Sequence, residues 1–129
     1  MIRHIVFFTA RDPADIDSIM ASLRELADTA IPAVFEVAPN IGSDPLGDHV
    51  DIVVYAEFAG EAELAAYRAH PVYAEVTRKV RPLREMRLAA DIRSAGPGFD
   101  ATDRRDPAVP RGTAAPGPTL LPPLVEESR

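Results

Sequence analysis

Residues Ile2 to Ala10 read Ile-Arg-His-Ile-Val-Phe-Phe-Thr-Ala, and the run has no polar face. In an extended chain Ile2, His4, Val6 and Phe8 point one way, while Arg3, Ile5, Phe7 and Thr9 point the other. A strand that is apolar on both sides is covered on both sides. One cover is expected from this chain's own helices and the other from a second copy of the chain. The run is short, follows one Arg and one His, and ends in Arg11-Asp12-Pro13, which reads as a strand rather than a signal peptide.

The rest of the first 95 residues supplies the remaining elements. Asp12 is a helix N-cap, Pro13 a first helical residue and Asp15 a first-turn acid. Ile16, Ile19, Met20, Leu23, Leu26 and Ala27 follow at helical spacing, and Pro32 sets the end of the helix near Ala30. Ala33 to Ala38 reads as a second strand. Pro39 and the stretch Gly42 to Asp48 mark a loop. Val50 to Phe58 alternates as a third strand. Gly60 opens a second helix, with Glu61 and Glu63 in its first turn. That helix breaks at His70-Pro71 and resumes to about Val80. Pro82 ends it, and Arg84 to Arg93 is a fourth strand, with Met86, Leu88, Ala90 and Ile92 alternating against Arg87, Ala89, Asp91 and Arg93.

The order β-α-β-β-α-β is the split βαβ, or ferredoxin-like, arrangement. It predicts an α+β protomer with a four-stranded antiparallel sheet and helices on one face. The opposite face carries Ile5, Phe7 and Val53. An exposed apolar face of that size calls for a partner, and a two-fold homodimer with sheet against sheet satisfies it.

Composition narrows the partners. The formal net charge of −6 and a pI near 5.0 argue against nucleic acid and anionic membranes, which select clustered Lys and Arg. No cysteine is present, so disulfides, thiolate nucleophiles and Cys-ligated metals are excluded. No segment approaches the roughly 18 apolar residues of a membrane span, and a cytoplasmic location is the expectation. From Gly96 onward lie seven of the thirteen prolines and four of the seven glycines. Periodicity stops there, so residues 1–95 read as the folded domain and 96–129 as an irregular tail. Leu120 to Val125 is a short apolar, Pro-containing patch within that tail.

The stretch Tyr67-Arg68-Ala69-His70-Pro71-Val72-Tyr73 holds three of the six tyrosine and histidine rings of the chain. Tyr67 and His70, three apart, share a helix face, and Pro71 bends the helix and starts a new turn. A phenol, an imidazole and a second phenol are thus expected near one break.

With these residues in place the chain resembles the stress-responsive dimeric α/β-barrel (Dabb) family. The opening Arg3-His4-Ile5-Val6 strand, Ile31-Pro32-Ala33, the Ala66-Tyr67-Arg68-Ala69-His70-Pro71 break and Arg81-Pro82-Leu83 occur in the order and spacing of that family, over about residues 1–93. The resemblance implies a ferredoxin-like protomer and a homodimer whose sheets close into a barrel. It also implies a pocket between helices and sheet. One enzymatic type in the family is similar to a polyketide cyclase, which closes a poly-β-ketone by aldol chemistry without metal or organic cofactor. Carried onto this sequence, the chain-holding tyrosine falls on Tyr67, a pocket histidine on His4, and the histidine before the proline on His70. The catalytic base of that type falls on Tyr73, a tyrosine where the family has a histidine. A phenol near pKa 10 is a poor base at neutral pH, while an imidazole near 6.5 is a good one.

The candidate catalytic residues are therefore His4, Tyr67, Tyr73 and His70, with Val6, Phe8, Met20, Val54 and Leu64 as apolar walls. His4 reads either as a base or as a core histidine bonded to a carboxylate or a carbonyl. His70 reads as a site residue, as a cap on backbone carbonyls freed by the helix break, or as a surface residue. His4, His49 and His70 lie on separate elements without metal-ligand spacing, so no metal is expected. The carboxylate pairs Glu61/Glu63 and Asp12/Asp15 fit helix starts. No phosphate-binding or dinucleotide motif is present, and no cofactor is expected. The leading expectation is a cofactor-free enzyme that removes a proton next to a carbonyl in a hydrophobic, oxygenated, polyketide-like molecule, leading to cyclisation or isomerisation. The alternatives are a non-catalytic dimeric stress-response or ligand-binding protein, and a cofactor-independent monooxygenase of the antibiotic-biosynthesis type.

Overall fold

In the computed structural model the described residues are 1–95; the tail from 96 to 129, including Leu120 to Val125, lies outside them. The strands are β1 (Ile2–Ala10), β2 (Val34–Pro39), β3 (Ile52–Phe58) and β4 (Arg84–Arg93), and the helices are α1 (Ile16–Arg24), α2 (Glu61–Ala69) and α3 (Pro71–Val80). They form one antiparallel sheet in the order β2-β3-β1-β4, the expected α+β ferredoxin-like arrangement. Only β1 and β3 are flanked on both sides.

The register fixes which side chains share a face. Val6 pairs with Val54 and Ala89, and Phe8 with Ile52 and Arg87. Directly opposed residues project to the same side. Ile2, Val6, Phe8, Val37, Ile52, Val54, Ala56 and Phe58 are buried under Ile19, Leu23, Leu26, Tyr67, Val76 and Val80 of the helical layer. Burying this much apolar surface at about 25 cal/mol per Å² is what drives the two layers together.

The first helical segment is shorter as an α-helix than its periodicity suggests. Pro13–Asp15 and Glu25–Thr29 are 3-10 turns flanking α1. Asp12 is the N-cap of the first turn and accepts from the Ala14 amide at 3.0 Å. The segment stops at Ala30, whose φ of 57° is left-handed. That conformation costs a Cβ-bearing residue roughly 1 kcal/mol, so the stop lies at Ala30 itself and not only in the restriction that Pro32 places on Ile31. β2 runs one residue later than its alternation indicates and ends on Pro39, tolerated because β2 is an edge strand. β3 begins at Ile52 rather than Val50. Asp51 is used elsewhere: its carboxylate accepts from the Ala10 amide at 2.8 Å and its own amide donates to the Phe8 carbonyl at 2.9 Å.

The face away from the helices carries Ile5, Phe7 and Val53, as the alternation requires, and the register adds Leu88, Ala90 and Ile92 from β4 and Val34 from β2. Phe7, Val34, Leu88 and Ile92 are 36%, 44%, 56% and 49% exposed; Phe7 and Leu88 adjoin Val53 and Ile5, while Arg3, Glu36, Tyr55 and Glu57 occupy the same face between them and Val34. No helix among the described residues is long and apolar enough to cross a membrane.

Candidate functional site

The site is built on the break between α2 and α3. Proline at position 71 cannot supply an amide to α2 but suits the first turn of α3. His70 is extended (φ −69°, ψ 140°), and its Nδ1 accepts the Val72 amide at 3.1 Å. It is the N-cap of α3. The bend brings Tyr67 of α2 against Tyr73 of α3, with ring centroids 5.3 Å apart and planes at 73°. Tyr67 also packs on Phe58 at 4.9 Å and edge-on to His4 at 6.2 Å.

His4 sits in the middle of this aromatic group and is 1% exposed. Its Nδ1 lies 2.5 Å from Oδ1 of Asp91, its partner in the β1–β4 ladder. Asp91 also accepts from Arg68 of α2 at 2.7 Å. A carboxylate accepts, so Nδ1 carries the proton and Nε2 keeps its lone pair. Burial lowers the His4 pKa, against the opposing pull of Asp91, and the Arg68 and Arg87 guanidiniums lower it further. Burial pushes the Asp91 carboxyl up, but the hydrogen bonds from His4 and Arg68 outweigh it and hold the group below its ordinary value. The result is a neutral imidazole oriented by a carboxylate that is itself held by an arginine.

A cavity of about 240 Å³ opens between the helices and the sheet, lined by His4, Val6, Phe8, Val54, Tyr67 and Tyr73 together with Leu23, Val76 and Val80. The Tyr67 side chain is 1% exposed, yet its hydroxyl has no hydrogen-bond partner among the described residues. The hydroxyl is not sealed in the core but opens on the cavity, where a ligand can accept its proton. Burial also raises the Tyr67 pKa, with smaller opposing effects from Arg87 and Arg68, so the group stays a donor at neutral pH. The Tyr73 oxygen accepts from Arg87 at 3.3 Å, which leaves its own proton free to donate.

The structure thus brings His4, Tyr67, Tyr73, Val6, Phe8 and Val54 to one cavity. It does not bring His70, Met20 or Leu64 there. The His70 ring is occupied with its capping bond, and Met20 and Leu64 pack in the core beside the cavity, not on its wall. His49 does not line the cavity: its Nε2 lies 2.7 Å from the Asp44 carbonyl in the loop before β3. Asp91, Arg68 and Arg87 complete the polar set, and the sequence did not single them out. The β1–β4 register places Asp91 opposite His4 and Arg87 opposite Phe8, and the bond to Asp91 brings in Arg68 from α2. Among the described residues no group of His, Asp and Glu is arranged to hold a metal ion.

A profile of the stress responsive A/B barrel domain (Dabb) matches residues 2–94. No curated protein matches the sequence. Among solved structures, a Dabb-family protein of ferredoxin-like fold from Mesorhizobium loti is 25% identical, with a TM-score of 0.63 over 74% of this chain and 97% of its own. A dimeric ferredoxin-like protein of unknown function from Bacteroides fragilis is 25% identical, with a TM-score of 0.58 over 70% of this chain and 93% of its own. Hydroxynitrile lyase from Passiflora edulis is 20% identical, with a TM-score of 0.61 over 74% and 96%. That last likeness is one of fold alone.

Proposed function

The chain belongs to the stress responsive A/B barrel domain family, and from that premise we propose that it is a small cofactor-free enzyme acting on a hydrophobic, oxygenated, polyketide-like molecule. The reaction is removal of a proton next to a carbonyl, followed by cyclisation or isomerisation. The observation that carries this reading is the unpartnered Tyr67 hydroxyl sharing an apolar cavity with a His4 that Asp91 orients.

In this reading Nε2 of His4 takes the α-proton, and the C–H electron pair moves into the enolate. Tyr67 and Tyr73 donate hydrogen bonds to the enolate oxygen, where negative charge develops. In a cyclisation the enolate carbon attacks a second carbonyl, a C–C bond forms, and the imidazolium returns its proton to the new alkoxide. Asp91 holds the tautomer and stabilises the transient imidazolium, as a carboxylate does for histidine in other acid–base pairs. His4 takes the role that the resemblance would give to the position of Tyr73, where a phenol is a poor base.

The test is proton exchange. The purified protein is incubated in D₂O with a linear β-diketone or a small aromatic ketone, and loss of the α-proton signal is followed by NMR. Exchange above the buffer rate that falls more than threefold in both His4→Ala and Tyr67→Phe supports the assignment. Exchange that stays within threefold in those variants sinks it. A second reading, a dimeric ligand-binding protein without catalysis, is favoured by the tyrosine at position 73, and binding without exchange would select it.

The assembly proposed with this function is a two-fold homodimer through the open sheet face. The exposed apolar side chains Phe7, Leu88, Ile92 and Val34 on that face support it, as does the description of the Bacteroides fragilis neighbour as dimeric. A cytoplasmic location remains part of the proposal.

A further inference from the structure

The wall of the cavity is not uniformly apolar. Arg81, Arg84 and Arg87 also line it. No ion pair among the described residues takes up any of the three, whereas Arg11, Arg68, Arg78, Lys79 and Arg93 each meet a carboxylate. The chain has more acids than bases, 20 Asp and Glu against 14 Lys and Arg. Three arginines without a carboxylate at one cavity are therefore a local reversal of the overall charge.

Arg84 reaches this cavity because the ladder slips. β1 and β4 pair residue by residue from Ile2 with Arg93 to Thr9 with Met86, and then the register shifts so that Ala10 faces Arg84. Alternation continued from Met86 would have sent Arg84 to the open face beside Leu88. The extra residue, Glu85, turns it to the side of Ala10, Phe8 and His4 instead, as β-bulges do when they re-aim a side chain. Arg81 and Arg87 are exposed and Arg84 is half-buried, so the arginine end is the mouth. The other end is His4. Phe8, the partner of Arg87, lies four residue steps along β1 from His4, or about 13 Å.

We propose that the cavity selects an amphipathic carboxylate, its acid group held by Arg84 and Arg87 at the mouth and its apolar chain laid along Val6, Phe8 and Val76 toward His4 and Tyr67. The planar guanidinium fork matches a carboxylate in two parallel hydrogen bonds, which a neutral head cannot accept. This deepens the proposed function, since it rests on the cavity being the ligand site, and it narrows the substrate class to oxygenated molecules that carry a free acid.

The test is calorimetric binding of decanoate, decan-1-ol and decyl phosphate to the full chain at pH 7.5. Decanoate is expected to bind at least tenfold more tightly than decan-1-ol. The ratio of decanoate to decan-1-ol affinity should shrink below threefold in R84Q/R87Q. Raising the salt tenfold on the unaltered protein should weaken decanoate and leave decan-1-ol in place, a readout that needs no variant. Equal binding of acid and alcohol, a preference that survives in R84Q/R87Q, or decyl phosphate binding tenfold better than decanoate overturns the carboxylate assignment and leaves the cavity as a ligand site. Binding of none of the three overturns both. Decanoate binding with no α-proton exchange on any ketone sinks the catalytic reading alone.

Discussion

Nδ1 of His4 and Oδ1 of Asp91 lie 2.5 Å apart across the β1–β4 ladder, and the other carboxylate oxygen receives Arg68. One side chain is buried and its partner is 31% exposed, so the pair links the cavity to the sheet edge. Asp91→Asn keeps the size of the group and removes its charge. The amide can orient the ring the wrong way round and no longer stabilises an imidazolium. We expect α-proton exchange to fall about 100-fold, within the range that a positioned base supplies. Denaturant unfolding should show a loss of about 1–3 kcal/mol for the weakened buried partner. Arg68 is largely exposed, and its share of that loss is small.

The same pair sets the pH response. The His4 pKa is below its ordinary 6.5 in the folded chain, chiefly through burial, so the unfolded chain binds the proton first as pH falls. Stability tied to His4 is therefore complete above 6.5 and is lost as pH drops through the lowered folded value. Asp91 is also depressed, by His4 and Arg68 against the upward push of burial, and its contribution is lost further into acid, below 3.8. The activity should show an acid limb with its midpoint under 6.5. A midpoint above 6.5, or a limb unchanged in His4→Gln, would assign the titration to another group.

Much of this arrangement was legible in the chain. The two-sided apolar pattern of β1, the Pro71 break and the alternation of β4 give the element order, and they place His4, Val6 and Phe8 on the helix side. What alternation does not contain is register. Asp91 becomes a partner of His4 only when β4 is set against β1, a pairing of residues 87 apart in sequence. The side that Arg84 takes is not in the alternation either, because one slipped residue inverts its face. His70 and Tyr67 look alike in sequence, three apart on one helix, but the capping bond of His70 turns it to the backbone while Tyr67 faces the cavity. Local hydrogen bonding at a helix end outcompetes the helical spacing there.

Tyr67→Phe separates function from stability. The hydroxyl has no partner among the described residues, so its removal takes away no folded-state hydrogen bond. Unfolding free energy should change by less than about 0.5 kcal/mol, since the hydroxyl opens on the cavity and no hydrogen bond is broken. Activity should nevertheless fall about 100-fold, the scale of a lost enolate donor. A large stability loss would mean that the hydroxyl serves the fold.

His70→Ala should behave in the opposite way. It removes the Nδ1 cap from the Val72 amide and opens the start of α3, at a cost of about 1 kcal/mol. The ring does not line the cavity, so exchange per folded molecule should stay within threefold of the parent. A 100-fold loss with the fold intact would return His70 to the site.

The open sheet face gives the last prediction. Phe7 and Leu88 are cross-strand partners on the side away from the helices, 36% and 56% exposed in the protomer. Replacing both with Lys leaves the helix-side core untouched, so the circular dichroism spectrum should keep its α+β shape. In a dimer that packs sheet on sheet, both Lys of each protomer would be carried into the interface, four added like charges in all, where Phe7 and Leu88 supplied apolar surface. Unpaired buried charge costs several kcal/mol, so the dissociation constant should rise by more than about 100-fold. Sedimentation velocity at micromolar concentration should then show a dimer for the parent chain and a monomer for F7K/L88K. If F7K/L88K remains a dimer, the apolar face is not the interface, and the second cover that β1 requires must come from elsewhere.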